Sequence, residues 1–185
     1  RRGEHTVSVD EQPHKANLEK IPQLRPAFAE NGTITPANSS SISDGASALL
    51  LASEAAVEAH GLTARARIVA HSRNSLAPEA FTLAPIGAAE DVLAKAGWTV
   101  ADVDLWEINE AFAMVTMLTM DALKLDPACV NVHGGACAQG HPIGSTGSRI
   151  IVTLMHALEH YGKKRGVAAL CIGGGEATAV AIELV

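Results

Sequence analysis

Three short stretches of the 185-residue sequence combine polar side chains with glycine in ways that could serve acid–base chemistry and oxyanion binding. NEAFA spans residues 109–113, NVHGGACAQGHPIGSTG spans 131–147, and CIGGG spans 171–175. The middle stretch carries Gly134, Gly135, Gly140, Gly144 and Gly147, which lets a backbone approach where a Cβ would clash. It is not a phosphate loop, because no Gly-Lys-Ser/Thr follows. The GxxxGxxG spacing from Gly140 is not the GxGxxG dinucleotide fingerprint either. His141 precedes Pro142, a restriction that favours extended backbone and aims the imidazole outward. Taken alone, it also reads as a structural histidine in a tight turn. Cys171 ends an apolar run and reads either as an inert core thiol or as an acid–base group beside Gly173, whose freed N–H can face an oxyanion. Asn109 alone reads as the cap of a helix starting at Glu110. Cys129 and Cys137 read as packing residues. His156 and His160 share a helix face, but HALEH lacks the HExxH arrangement, so no metal site is expected.

The elements that must position these residues alternate between helical and strand patterns. Residues 1–43 read as a surface excursion broken by Pro13, Pro22, Pro26 and Pro36, with a helical turn or two in 18–28. From Asp44, the spacing of Ala46, Leu49, Leu50, Ser53, Val57 and His60 predicts a helix capped by Ser43 or Asp44 and ended by Gly61. Strands are expected at 67–71, 103–108 and 130–132. Helices are expected at 85–96, 111–123 and 144–160, the second so apolar that it should be buried on most sides. Residues 167–172 and 177–184, joined by three glycines, can pair only as an antiparallel hairpin. The fold class is therefore α/β, a layered fold with a mixed sheet covered by helices and ending in that hairpin. The three clusters fall at strand ends or helix starts, where open α/β sheets place ligands.

Composition excludes several functions. The formal charge of −6 argues against nucleic acid as a partner. No apolar run reaches the roughly 18 residues a membrane span needs. Three cysteines without CxxC spacing disfavour a disulfide framework and favour a reducing, cytoplasmic compartment. Aromatic residues make up only 3%, so helices should pack closely on the sheet through small side chains. The sequence opens without Met and without a visible targeting segment, which reads as part of a longer protein.

In this order and spacing, NEAFA, NVHGGACAQGHPIGSTGSRI and CIGGG resemble the C-terminal half of a thiolase, most like the acetyl-CoA C-acetyltransferase branch. LEKIPQLRPAF (18–28), GTITPANSSSISDGASALLL (32–51) and ARIVA (66–70) are similar to family segments as well. The resemblance implies that residues 1–43 are a remnant of the loop domain and CoA-binding segment, and 44–185 the C-terminal core domain. It implies that His141 forms an oxyanion hole with a water held by Asn109, that Cys171 is the general acid and base, and that Gly173 N–H serves a second oxyanion hole. Ser40 would lie near the pantetheine of coenzyme A, with Phe28 and Phe112 lining that cleft. Coenzyme A thioesters would be substrates, with no separate cofactor. The nucleophilic cysteine would lie in an N-terminal half that this sequence lacks, so the isolated chain is expected to be incomplete, needing that half or a partner chain, and homo-oligomeric when whole. The helix at 111–123 would face the missing half. Three departures from the family pattern stand out: Glu176-Ala177 after the glycines, His14 where a basic residue holds the coenzyme's phosphates, and Phe81 where acetyl-specific members have Met. The last predicts a reshaped acyl pocket. Alternatives are a longer-chain 3-ketoacyl-CoA thiolase of fatty-acid degradation and a non-catalytic, thiolase-derived module that binds coenzyme A.

Overall fold

A computed structural model describes Gly3, Glu4 and residues 6–185. Arg1, Arg2 and His5, part of the expected surface excursion, lie outside the described residues, as does the side chain of Lys15. Four strands form one sheet: β1 (Ala66–Ser75), β2 (Leu105–Ile108), β3 (Arg165–Cys171) and β4 (Glu176–Leu184), in the order β1-β4-β3-β2. β3 and β4 pair antiparallel, Cys171 opposite Ala177, and β1 adds antiparallel to β4. β2 runs parallel to β3, with Ile108 opposite Ala169. The mixed sheet and terminal hairpin are as the sequence pattern implies. Gly175 closes the hairpin at φ +101°, where an added Cβ would meet the carbonyl oxygen of Leu76. Only glycine fits there.

Helix α2 (Ala84–Ala96) covers one face of the sheet. Its Ala84, Ala88 and Ala89 share a fully buried layer with Ala177, Ala179 and Ala181 of β4, small side chains that let helix and strand approach closely. Gly97 ends the helix in the left-handed conformation, φ +69°. Helix α5 (Thr146–His160) covers the opposite face through Ile150, Leu154 and Leu158, which pack against Leu105, Ala168 and Ile182. Because side chains alternate along a strand, β2 directs Trp106 and Ile108 toward the α2 layer and Leu105 and Glu107 toward α5.

Several expectations are corrected. No helix starts at Asp44: helix α1 covers only Glu54–Ala59, capped by Ser53. Upstream, the Ser47 hydroxyl is tied to those of Ser145 (2.7 Å) and Ser148 (2.6 Å), and a helix would break that tether. Leu50 is left 87% exposed. Helix α3 (Ala113–Leu123) is not buried on most sides, for only Val115, Thr116 and Thr119 are buried and Met117 is exposed. Its N-cap is Phe112, so Asn109 does not cap it. Residues 130–132 form no strand. Val130 makes an isolated bridge with Trp106, and Asn131, at φ +48°, turns the chain away. A short helix α4 (Ala136–Gln139) inside the glycine-rich loop was not anticipated. Among the described residues, no helix is long and apolar enough to cross a membrane.

Candidate active site

The parallel pair β2–β3 brings two of the three motifs side by side. Past the end of β2, Asn109 N–H donates to Ala169 O at 2.9 Å, extending the ladder. Asn109 is 1% exposed, and neither its Oδ1 nor its Nδ2 has a hydrogen-bond partner. A buried amide normally finds partners. An unpaired one at a strand end is chemically poised for a bound water or ligand. Cys171 ends the neighbouring strand, buried, and burial pushes its thiol up. It therefore rests protonated at neutral pH.

His141 reaches the site through segment 39–42. Its N–H donates to Ser41 O (2.9 Å), and Ser40 N–H and Oγ–H both donate to Ala111 O (3.2 and 3.0 Å). That segment laces the glycine-rich loop to NEAFA. Between them opens a cavity of about 400 Å³ lined by Phe28, Ser40, Ala111, Phe112 and His141, among others. Phe112 meets Phe28 edge to face at 5.9 Å and Phe81 at 6.2 Å. Phe28, Ser40, Phe112 and His141 thus share one wall, with Phe81 behind Phe112. Asn109, Cys171 and Gly173 do not line this cavity. A larger cleft, about 590 Å³, lies elsewhere, between residues 48–52, β1 and the outward side of α5.

The histidine ring is held by Thr146, whose Oγ1 lies 2.7 Å from Nδ1. Burial, and then the Arg149 guanidinium, hold the imidazole below its usual range. Arg149 lies 3.7 Å from Glu107, a carboxylate only 2% exposed whose Oε1 has no partner. Burial pushes Glu107 up to about 7, against the pull of Arg149. Glu110 fastens the glycine-rich loop: its carboxylate accepts from Cys137 N–H (3.0 Å) and Asn131 Nδ2 (3.1 Å). It also packs on Gly135 where a Cβ would collide with it. Asn131 pairs its side-chain amide with both backbone groups of Ile108 (2.8 and 2.9 Å), doing the work of the strand expected there. Burial and Glu110 push the Cys137 thiol up to about 12, far from a reactive thiolate.

Sequence reasoning passed over Thr146, Glu107, Glu110 and Arg149. A carboxylate in the core-facing strand LWEI and an arginine facing the sheet near the start of α5 were the available signals.

Comparison with known proteins agrees with this architecture. The thiolase C-terminal domain model matches residues 62–184, and the thiolase N-terminal domain model matches residues 1–55. The chain belongs to the thiolase family. It is 47% identical to the cytosolic acetyl-CoA acetyltransferase of Mus musculus, over 99% of this chain and 47% of that protein. Over 96% of this chain and 43% of the relative, it is 49% identical to a probable acetyl-CoA acetyltransferase of Dictyostelium discoideum. The crystal structure of the Bacillus anthracis acetyl-CoA acetyltransferase superposes with a TM-score of 0.93 at 41% identity, covering 100% of this chain and 47% of that one. Human mitochondrial 3-ketoacyl-CoA thiolase in complex with CoA gives 0.84 at 38% identity, over 92% and 43%. The chain thus spans about half the length of the relatives it matches.

Proposed function

We propose that this chain is the C-terminal catalytic half of an acetyl-CoA acetyltransferase, condensing two acetyl-CoA molecules to acetoacetyl-CoA and CoA or running the reverse thiolysis. The observation that carries the reading is the shared wall of His141, Ser40, Phe28 and Phe112, the last supplied by the motif that begins with Asn109 at the end of β2. In the condensation, the Cys171 thiol first gives its proton to the coenzyme A sulfur released as the acyl group is loaded. The thiolate so formed takes a proton from the carbon next to the second thioester carbonyl. Negative charge then develops on the thioester oxygen, where His141 and a water on the unpaired Asn109 amide serve as donors. The new C–C bond forms at the loaded acyl carbonyl, whose oxygen Gly173 N–H would face, and the sulfur that carried that acyl group leaves. That sulfur belongs to the N-terminal half. Cys129 donates to Asp126 O in its own turn, and Cys137 is held protonated. Ser40, Phe28 and Phe112 hold the pantetheine arm.

Residues 1–43 serve as the remaining loop and coenzyme segment and 44–185 as the core domain. The whole protein acts as a homo-oligomer in a reducing compartment; the name of the Mus musculus relative places that enzyme in the cytosol. The purified chain should show no acetoacetyl-CoA thiolysis, and turnover should appear when it is joined to an N-terminal half. Robust turnover by the chain alone defeats its incompleteness. A thermal shift with coenzyme A but no turnover of the joined protein replaces the catalytic reading with a binding module.

The likeness to 3-ketoacyl-CoA thiolase keeps a longer-chain reading in play, and Phe81 separates the two. Its ring backs Phe112 at the cavity wall, so Phe81→Met exchanges a rigid ring for an adaptable side chain. In the joined enzyme the ratio of kcat/KM for acetoacetyl-CoA over longer 3-ketoacyl-CoA substrates should change at least about fivefold, since small differences in apolar fit carry about 1–3 kcal/mol. Equal profiles for both proteins would remove Phe81 from specificity.

A further inference from the structure

We infer that Glu110 is a positioning residue: its carboxylate fixes the segment carrying His141 against the end of β2, and so sets where His141 stands relative to Asn109. The chain runs from Cys137 to His141 through the single turn of α4, closed by Gln139 N–H to Gly135 O (3.0 Å) and Gly140 N–H to Ala136 O (2.9 Å). Cys137 N–H, near the start of that turn, donates to Glu110 Oε2 at 3.0 Å. Glu110 Oε1 accepts from Asn131 Nδ2 at 3.1 Å. The Asn131 amide cannot be reversed, because its Oδ1 accepts Ile108 N–H (2.8 Å) while Nδ2 donates to Ile108 O (2.9 Å). Both oxygens of Glu110 therefore face N–H donors. A carboxylate accepts at both ends, whereas glutamine of the same shape would turn its NH₂ against one of them.

Gly135 points the same way independently. Its backbone, φ −116° and ψ −171°, is extended and open to any residue. A Cβ there would nevertheless fall inside the Glu110 carboxylate. The carboxylate, not the backbone, is what demands glycine at 135. Cys137 reports on the contact from the other side: burial and then the Glu110 charge push its thiol up to about 12. Because Glu110 follows Asn109 directly, one side chain ties together the two donors assigned to the thioester oxygen. The clamp rests on this chain's geometry alone, and its consequence for rate rests on the function proposed above.

The experiment is alkylation of Cys137 by iodoacetamide in the intact chain at about pH 8.5, read by peptide mass spectrometry. In Glu110→Gln the rate should rise at least about tenfold over wild type, with Cys171 within about twofold. Arg149 also feels the Glu110 charge, so Gly135→Ala separates charge from placement: it keeps the carboxylate but pushes it aside, and the Cys137 rate should rise there too. An unchanged rate in either variant overturns the inference. Should both fail to fold, the wild type decides: Cys137 reacting as fast as it does in the urea-unfolded chain overturns it, and strong protection supports it. In the enzyme joined to its N-terminal half, each variant should lower kcat about tenfold or more with KM within about threefold. The double variant should fall no more than about twofold below the worse single one, since both break one clamp. Wild-type kcat in Glu110→Gln with Cys137 unmasked removes the positioning role. A joined wild-type protein without turnover sinks the proposed function and leaves the clamp to the alkylation result.

Discussion

Replacing Arg149 by methionine will destabilise the chain by about 3 kcal/mol at pH 8 and by only about 1 kcal/mol at pH 5, measured by urea unfolding at the two pH values. The partner left behind is Glu107, 2% exposed with one oxygen already unpaired. A buried carboxylate stripped of its counter-charge is expensive only while it is charged. Burial already pushes Glu107 up to about 7 from an ordinary 4.5, and Arg149 is what holds it from going higher. With the folded value raised, protonated Glu107 contributes stability that is fully present below about pH 4.5 and fades as pH rises through 7. The variant is therefore close to wild type where Glu107 is protonated and weak where it must ionise. His141 carries the opposite sign. Its folded value is depressed, so its contribution is present above the ordinary imidazole range and is lost as pH falls through the folded value. Removing Arg149 relieves part of that depression, and the His141 titration should move upward. A cost independent of pH, or an unmoved His141, would show that the two groups do not sense each other.

In the enzyme joined to its N-terminal half, Cys171→Ala should reduce kcat by about 10³-fold while coenzyme A affinity stays within about threefold. The expectation separates chemistry from binding because Cys171 ends β3 and lies outside the cavity wall formed by Phe28, Ser40, Phe112 and His141. Packing should suffer little, since alanine removes one sulfur from a residue already at the sheet's end. Retention of more than about a tenth of the wild-type kcat would strip Cys171 of the acid–base role, and a parallel loss of coenzyme A binding would recast it as structural.

The features readable from sequence were those encoded by local signals. α2 announces itself through Pro85 in its first turn and Gly97 past its end, and the hairpin through two apolar runs joined by glycines. Misreadings arose where distant groups override the local pattern. Residues 44–53 have helical spacing, yet Ser47 is held by Ser145 and Ser148, about a hundred positions away. Asn109 has the look of a cap, but the helix begins four residues later, leaving the amide buried and unpaired. The motif residues could be located in the sequence, whereas the charges and hydroxyl behind them could not. Glu107 meets Arg149 and His141 meets Thr146 only once α5 lies across β2 and the loop has turned.

The strand order carries a consequence for synthesis on the ribosome. β1 pairs with β4 and β2 with β3, so the two strands made first both wait for partners made last. Until the closing hairpin emerges, β1 and β2 have no neighbours, and unpaired strand edges invite wrong pairing. The hairpin, local in sequence, forms quickly and then recruits two strands across separations of roughly 60 and 110 residues, the slow step in such topologies. Stop codons that remove the final strand would therefore leave β1 without a partner and β3 with β2 alone, breaking the sheet at its centre.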